Sequence, residues 1–304
     1  MTEHETPAPD FRCGYVALIG APNAGKSTLM NALLGTKISI VTAKPQTTRK
    51  RVLGFHTGES HQIIFIDTPG LIKPKYVLQE AMVTAAHAAI AEADASCFLI
   101  DAERALERGE VLPDGLLDLF RQSGRPVFAV ITKSDLIGDK QRMLPLMARL
   151  LEAYPFAAVI PISSFENQGL DGLLSEIKQV LPAGPPMYPE DMLSDAPERF
   201  FVTEIIREKI FEQFRQEVPY ATEVFIAEYR EEAERDYIAA EIIVERDSQK
   251  RIIIGHQGAA IKAIGTAARI DIESFLQRKV FLDLHVRIRE GWRDNEAWVR
   301  RLGY

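Results

Sequence analysis

A chain of 304 residues with 46% hydrophobic and 26% charged side chains is long enough to build two separate cores. Its formal net charge of -7 excludes a surface that coats nucleic acid uniformly, because phosphate binding rests on concentrated Lys and Arg. No stretch reaches the roughly 18 apolar residues that a membrane span needs, and the two cysteines, Cys13 and Cys97, stand in no metal-ligand spacing, which fits the reducing cytoplasm.

Residues 1–12, MTEHETPAPDFR, lack a basic-then-apolar signal pattern and read as a short disordered leader. Across 13–181 the apolar runs GYVALIG, RVLGFH, HQIIFID, SCFLID, PVFAVIT and AAVIPIS alternate with helix-period segments that include 25–34, 76–92 and 169–181. That alternation predicts an α/β domain with a mostly parallel, doubly wound sheet. RVLGFH and HQIIFID are too close for a crossover helix, so one antiparallel edge strand is expected. Residues 182–199 are dense in proline and acid and read as a linker. Residues 200–304 follow a different grammar. A helix over 200–214, strands near 222–230 and 237–245, an apolar strand, a G-x-x-G turn, a helix to about 277 and the alternating strand VFLDLHVRI predict an α+β domain. Residues 200–249 hold 6 Lys/Arg against 13 Asp/Glu, whereas 250–304 hold 11 against 6, so the basic surface is gathered at the end.

Gly20, Gly25, Lys26 and Ser27 match G-x-x-x-x-G-K-[ST], directly after a predicted strand and opening a helix. In this loop, with Asn23, Ala24 and Thr28, backbone N–H groups can curl around a β-phosphate. Lys26 can reach the β- and γ-oxygens, and Ser27 offers a magnesium ligand. Asp67, Thr68, Pro69 and Gly70 end the strand IIFI. The aspartate can hold magnesium and the glycine can offer its N–H to a γ-phosphate. Thr132, Lys133 and Asp135 follow the strand PVFAVI; a carboxylate at 135 accepts from N1–H and the 2-amino group of guanine, a donor pair that adenine lacks. Ser163 and Ser164 end the next strand, where backbone N–H groups can meet the guanine oxygen. Loops at the carboxyl ends of several strands thus converge, as ligand sites in open α/β sheets do.

The set GAPNAGKS, KPQTTRK, DTPG, TKSD and ISS resembles a translation-factor-class GTPase, and YPEDMLSDAPERF, EIIREKI and EVPY are similar to the Era family in particular, from about residue 12 onward. The resemblance implies a P-loop GTPase domain, GTP or GDP with Mg2+, and a first switch over Gln46, Thr47, Thr48, Arg49 and Lys50. Within it Thr48 is the preferred magnesium-facing hydroxyl. Thr132 stands where the family has Asn, and Ser164 where it has Ala, which bears on nucleotide affinity more than on base identity. Leu71 follows Gly70 where a Ras-like enzyme presents the glutamine that orients water, so slow unassisted turnover is expected, on the order of 10⁻³ s⁻¹ or below. Asn23 resembles the asparagine that binds K+ in some GTPases of this class; the alternative is a loop residue bonding its own backbone.

Gly255, His256, Gln257 and Gly258 form the G-x-x-G, and the following I-K-x-I-G and the charge gradient give it a resemblance to a KH domain, type II-like, which clamps about four single-stranded nucleotides. Lys250, Arg251 and Lys262 flank the turn as phosphate contacts, and Ile254, with Ile252 and Ile261, is a candidate for the apolar groove. Trp292 and Trp298 have stacking on bases and packing of the last helix as alternatives. The family resemblance implies a monomeric cytoplasmic protein that binds the 3′ end of small-subunit ribosomal RNA and assists maturation of that subunit. Two rivals stay open: an RNA-binding adaptor with a structural nucleotide, and a regulatory GTPase held weakly at the inner face of the membrane by its basic tail.

Overall fold

In the computed structural model, which describes residues 11–42, 44–109 and 115–304, the chain forms two units. The first comprises residues up to Ser39, Thr48–Lys73 and Met82–Asp195; the second comprises Ile40–Thr47, Pro74–Ala81 and Ala196–Tyr304.

The first unit alternates as its apolar runs require: β1 (Arg12–Gly20), α1 (Lys26–Leu34), β2 (Val52–Gly58), β3 (His61–Asp67), α2 (Val77–Glu92, begun by residues of the second unit), β4 (Ala95–Asp101), α3 (Ala102–Arg108), α4 (Leu116–Ser123), β5 (Val127–Thr132), α5 (Met143–Ala153), β6 (Ala158–Pro161) and α6 (Leu170–Val180). The sheet runs β2-β3-β1-β4-β5-β6. Every pair is parallel except β2 with β3, the antiparallel edge that the short connection demands. Every residue of β5 and all but the last of β4 are buried, because a doubly wound sheet is covered on both faces and its central strands can be continuously apolar. Register then sets the function. Leu18 pairs with Asp67, Gly20 with Leu99, and Asp101 with Thr132, so the carboxyl ends of β1, β3, β4 and β5 reach one edge together.

Two boundaries differ from the sequence reading. Residues 1–10 of the expected leader lie outside the described residues, but Phe11 is buried in the core and Arg12 opens β1. The expected linker folds with the first unit as far as Asp195. The Gln62 carboxamide, wholly buried, accepts from the N–H groups of Met187 (2.7 Å) and Tyr188 (2.9 Å) and donates to the Tyr188 carbonyl (2.8 Å). Tyr188 stacks on Phe55 at 4.0 Å, and Phe55 N–H donates to the Leu193 carbonyl. Proline prevents a helix or a sheet-interior strand here, yet side chains and single backbone bonds still hold an irregular strap.

The second unit contains α7 (Glu198–Gln213), β7 (Glu223–Arg230), β8 (Asp236–Val244), α8 (Asp247–Ile254), α9 (Ala259–Leu276), β9 (Val280–Ile288) and α10 (Glu296–Arg301). Its sheet runs β7-β8-β9, with β7 antiparallel and β9 parallel to β8. Val202, Ile206, Ile210, Ile253, Ile264, Ala268 and Ile272 of the helices close over Ile238, Ala240, Ile242 and Val244. The apolar strand expected before G-x-x-G is instead helix α8. Its start is fixed by Gln249, whose Oε1 accepts from the N–H groups of Glu245 (3.0 Å) and Arg246 (3.1 Å), and Asp247 pairs with Arg251 one turn on. Capping and one buried position, Ile253, override the β preference of three consecutive isoleucines.

Candidate functional site

The loop after β1 wraps the start of α1 and buries a lysine. Lys26 is 6% exposed and its ammonium donates to the carbonyls of Gly20 (3.1 Å) and Ala21 (3.0 Å). Burial pulls its pKa down to about 8, partly offset by the Asp67 charge. Ala24 is buried, Thr28 half-buried, and Asn23 is exposed with a left-handed backbone (φ 64°).

Three oxygens from three segments meet beside this lysine. Ser27 Oγ donates to Asp67 Oδ2 at 2.7 Å and lies 2.7 Å from Thr48 Oγ1, which itself lies 3.3 Å from Asp67 Oδ2. Of the paired threonines, Thr48 is buried and joins this group; Thr47 is half-buried and belongs to the second unit. Asp67 is wholly buried, and burial pushes its carboxyl up while the Ser27 hydroxyl and Lys26 pull it back. Its Oδ1 and the buried Ser39 Oγ each lack a hydrogen bond of good geometry among the described residues, although the Ser39 hydroxyl is near enough to help pull the carboxyl back down. A buried carboxylate oxygen without a partner is costly, and hard oxygen donors of this kind are what Mg2+ takes, directly or through water. The residues present therefore fit that ion.

Thr68 Oγ1 donates to the Leu18 carbonyl (2.7 Å) and Leu71 N–H to the Gly20 carbonyl (3.0 Å), which fastens DTPG to the phosphate loop. Pro69 and Gly70 are buried. A Cβ on Gly70 would stand 2.8 Å from Pro22 N, so no side chain fits. Leu71 packs against the first core. Of the first switch, Arg49 is buried and Lys50 half-buried, and Gln46 accepts from Gln79 Nε2 at 3.3 Å.

At the other end of the site Thr132 Oγ1 donates to the carbonyls of Ala24 (2.8 Å) and Ile100 (3.2 Å), tying the β5 loop to the phosphate loop. Lys133, with φ 57°, pairs with Asp101 at 2.6 Å. Asp135 is half-buried, and Ser134 N–H donates to the Ile162 carbonyl, which joins this loop to Ser163 and Ser164. Ser163 is buried and its Oγ accepts from Glu166 N–H; Ser164 is half-buried.

In the second unit Gly255 (φ 74°), Gln257 (φ 48°) and Gly258 (φ 79°) turn the chain from α8 into α9, with His256 and Gln257 exposed. A Cβ on Gly255 would lie 2.6 Å from Ala260 Cβ, so only glycine fits there, whereas a Cβ on Gly258 would meet nothing within 4 Å, which leaves that side of the turn open to another backbone. Lys262 and Arg251 are exposed and Lys250 half-buried; Arg251 is shared with Asp247. Ile252 is exposed, and Ile254 and Ile261 are half-buried beside the core. Several of the later cations are already engaged: Arg287 with Glu241, Arg293 with Glu245, and Arg289 and Arg301 over the Trp298 ring. Trp292 is wholly buried and donates to the Ala221 carbonyl, a packing role.

The model of the 50S ribosome-binding GTPase family matches residues 15–133 and that of the KH domain residues 217–293. GTPase Era of Geobacter metallireducens is 46% identical over 296 residues, covering 97% of this chain and 98% of that protein. The chain belongs to the Era family of GTPases. The chloroplastic ERA-like GTPase of Arabidopsis thaliana is 45% identical over 98% of this chain and 70% of its own length. Two Era crystal structures superpose with a TM-score of 0.92 at 40% identity, covering 97% of this chain and 99% of theirs. One is a variant from Aquifex aeolicus bound to GDP and aluminium fluoride, the other a complex with MgGDPNP and nucleotides 1506–1542 of 16S ribosomal RNA. The doubly wound domain is thus a GTPase domain and the α+β domain a KH domain.

Three residues of this Era-family site escaped sequence reading. Asn31 sits inside α1, where an amide is unfavourable unless it is used elsewhere; its side chain accepts from the N–H groups of Ile38 (2.9 Å) and Ser39 (3.0 Å) and donates to the Ser39 carbonyl (2.9 Å), fixing the approach to the first switch. Asp101 both caps α3 through Arg104 N–H and pairs with Lys133. Arg207 lies within EIIREKI, where it is one of four charged residues and the sequence offers no signal that sets it apart.

Proposed function

We propose that this chain is a GTP-operated switch that binds the 3′ end of small-subunit ribosomal RNA and assists assembly of that subunit. The observation that carries the switch is the buried group Ser27, Thr48 and Asp67 with its unpartnered Asp67 oxygen, because it joins the phosphate loop, the first switch and DTPG through one ion site. Bound there, Mg2+ would neutralise charge on the β- and γ-phosphates. Lys26 would exchange its bonds to Gly20 and Ala21 for phosphate oxygens, and Gly70 N–H would meet the γ-phosphate. Asp135 would select guanine, with Thr132 holding its loop to the phosphate loop. Residues 44–50 and 68–80 are ordered by the γ-phosphate and released on hydrolysis. Leu71, packed on the core, orients no water, so turnover without a partner is slow. Asn23 stands where a K+ ion would assist, and hydrolysis rates equal in Na+ and K+ would remove that role.

For the RNA, support comes from the G-x-x-G turn and from the similar Era structure that holds 16S ribosomal RNA nucleotides. The monomer acts in the cytoplasm on this reading. The deciding experiment measures an oligonucleotide of that 3′ end against the protein loaded with GDPNP or GDP at one salt concentration. Tighter binding in the GDPNP form, lost in Gly255→Asp, supports the switch. Equal binding favours the adaptor reading, which Leu71 and Thr132 motivate, and no binding removes the target. The membrane reading rests on the basic tail alone; no described helix is long and apolar enough to cross a bilayer, and failure to sediment with anionic vesicles would remove surface binding too.

A further inference from the structure

The first switch is divided between the two units: Thr48 faces Ser27 and Asp67, whereas Ile40–Thr47 fold with α7. Among the described residues, four hydrogen bonds make that attachment. Val41 N–H donates to Glu208 Oε1 (3.4 Å), Lys44 Nζ donates to the carbonyls of Phe211 and Phe214 at the carboxyl end of α7, and Arg207 Nη2 donates to the carbonyl of Thr47. Arg207 is 1% exposed. Glu204 grips it at two points, Nε to Oε1 (2.9 Å) and Nη2 to Oε2 (2.6 Å), and its Cζ lies 5.5 Å from the Phe211 ring centroid. Nη1 is buried with no partner among the described residues. A buried ion pair is weak as a source of stability, and a well-packed apolar side chain would serve the core as well. The guanidinium is better explained by what it holds.

What it holds is one end of a rigid plane. The Thr47 carbonyl and the Thr48 N–H share a planar peptide, so fixing that oxygen fixes the frame from which the Thr48 side chain departs. We propose that Arg207 is a positioning residue for the first switch: its bond to the Thr47 carbonyl sets the Thr47–Thr48 peptide so that the Thr48 hydroxyl faces Ser27 and Asp67, and α7 thereby favours the GTP-bound over the GDP-bound state. This rests on the reading of Ser27, Thr48 and Asp67 as the magnesium site. A contact made in only one nucleotide state shifts affinity for that nucleotide alone, and the first switch is released when the γ-phosphate is absent.

The test is equilibrium binding of GDPNP and GDP, each with Mg2+ and with chelator, to the full chain and to Arg207→Lys and Lys44→Ala, with thermal unfolding of each. A lysine cannot keep both the two-point grip on Glu204 and the reach to Thr47. The expected result for Arg207→Lys is a loss of about tenfold in Mg2+-dependent GDPNP affinity with GDP affinity within about twofold of the parent. Lys44→Ala, which leaves no buried charge unpaired, moves the same ratio in the same direction by less. Parallel losses for both nucleotides, or an unchanged ratio in a folded Arg207→Lys, overturn the proposal. Should Arg207→Lys not fold, an unchanged ratio in Lys44→Ala overturns it. A parent chain in which Mg2+ does not separate GDPNP from GDP overturns the magnesium-site reading itself, and this inference with it.

Discussion

The phosphate loop and the G-x-x-G turn are both glycine-bearing turns that open a helix, yet the chain finishes them differently. Around the first, Lys26, Ser27, Thr48 and Asp67 are buried and bonded to one another or to the loop. Around the second, His256, Gln257 and Lys262 are exposed. A buried polar group must be satisfied or must await a ligand, so the first turn declares its partner through a mismatch, the spare Asp67 oxygen. The second declares only shape and charge: backbone bare enough for close approach, with cations beside it. A small ligand with fixed charges suits the first arrangement, and a mobile single strand suits the second.

The largest effect is expected where burial is greatest. Lys26→Ala removes the only side-chain ammonium in the phosphate loop, and a charge-assisted contact of this kind implies a loss of ~100-fold or more in GTP and GDP affinity, read by fluorescent-nucleotide titration. Asp67→Asn sharpens the point, since nucleotide binding should become nearly insensitive to chelator while RNA binding to the nucleotide-free protein is retained. Chelator sensitivity equal to that of the parent would mean that the unpartnered oxygen is not where the metal is held.

Gly255→Asp breaks the other side of the comparison. The backbone is left-handed there (φ 74°) and a Cβ would meet Ala260 N at 2.9 Å, so the turn must distort, and the added charge faces phosphate. RNA affinity is expected to fall by ~10-fold or more with GTP hydrolysis unchanged. A parallel fall in hydrolysis would show that the two turns are not separable. Thr132→Val is smaller. It deletes the bond to the Ala24 carbonyl (2.8 Å) and should speed GDP release by roughly 3- to 10-fold, the worth of one neutral hydrogen bond. An unchanged release rate would show that the loop is held by its backbone alone.

How much of this was legible beforehand follows the same division. The convergence of loops at the carboxyl ends of the strands and the places of Gly20, Lys26, Ser27, Asp67 and Thr132 on those loops follow from motif and period, because a phosphate loop needs a strand before it and a helix after it; the order of the strands does not. Thr48 is buried and Thr47 half-buried, a difference that two adjacent threonines do not reveal in sequence. Legibility fails where tertiary bonds overrule local preference. Three isoleucines before Gly255 form a helix because Gln249 caps it. A proline-rich segment is held as a strap because Gln62, distant in sequence, supplies its hydrogen bonds. Arg207 was not legible, because α7 also carries Glu204, Glu208, Lys209 and Glu212 and nothing in the sequence sets one charge apart, until its bond to Thr47 showed its use.

The finest test lies on the exposed turn. Lys262 stands one turn into α9 with its side chain in solvent and no ion-pair partner among the described residues, whereas Arg251 already shares the Asp247 carboxylate at 2.5 Å. If both cations merely decorate a solvated face, removing either changes little. If Lys262 neutralises one phosphate of a single strand, Lys262→Ala should lower the salt dependence of RNA binding, d log K/d log [salt], by about 0.7. Affinity near physiological salt should fall only a few-fold, equally for different sequences, because phosphate contacts position the strand and do not read bases. Arg251→Ala should change the slope by less, since part of its charge is already spent on Asp247. A slope unchanged in Lys262→Ala would move the phosphate contacts elsewhere on the basic end of the chain, and would leave the G-x-x-G turn as a passage for backbone held by shape alone.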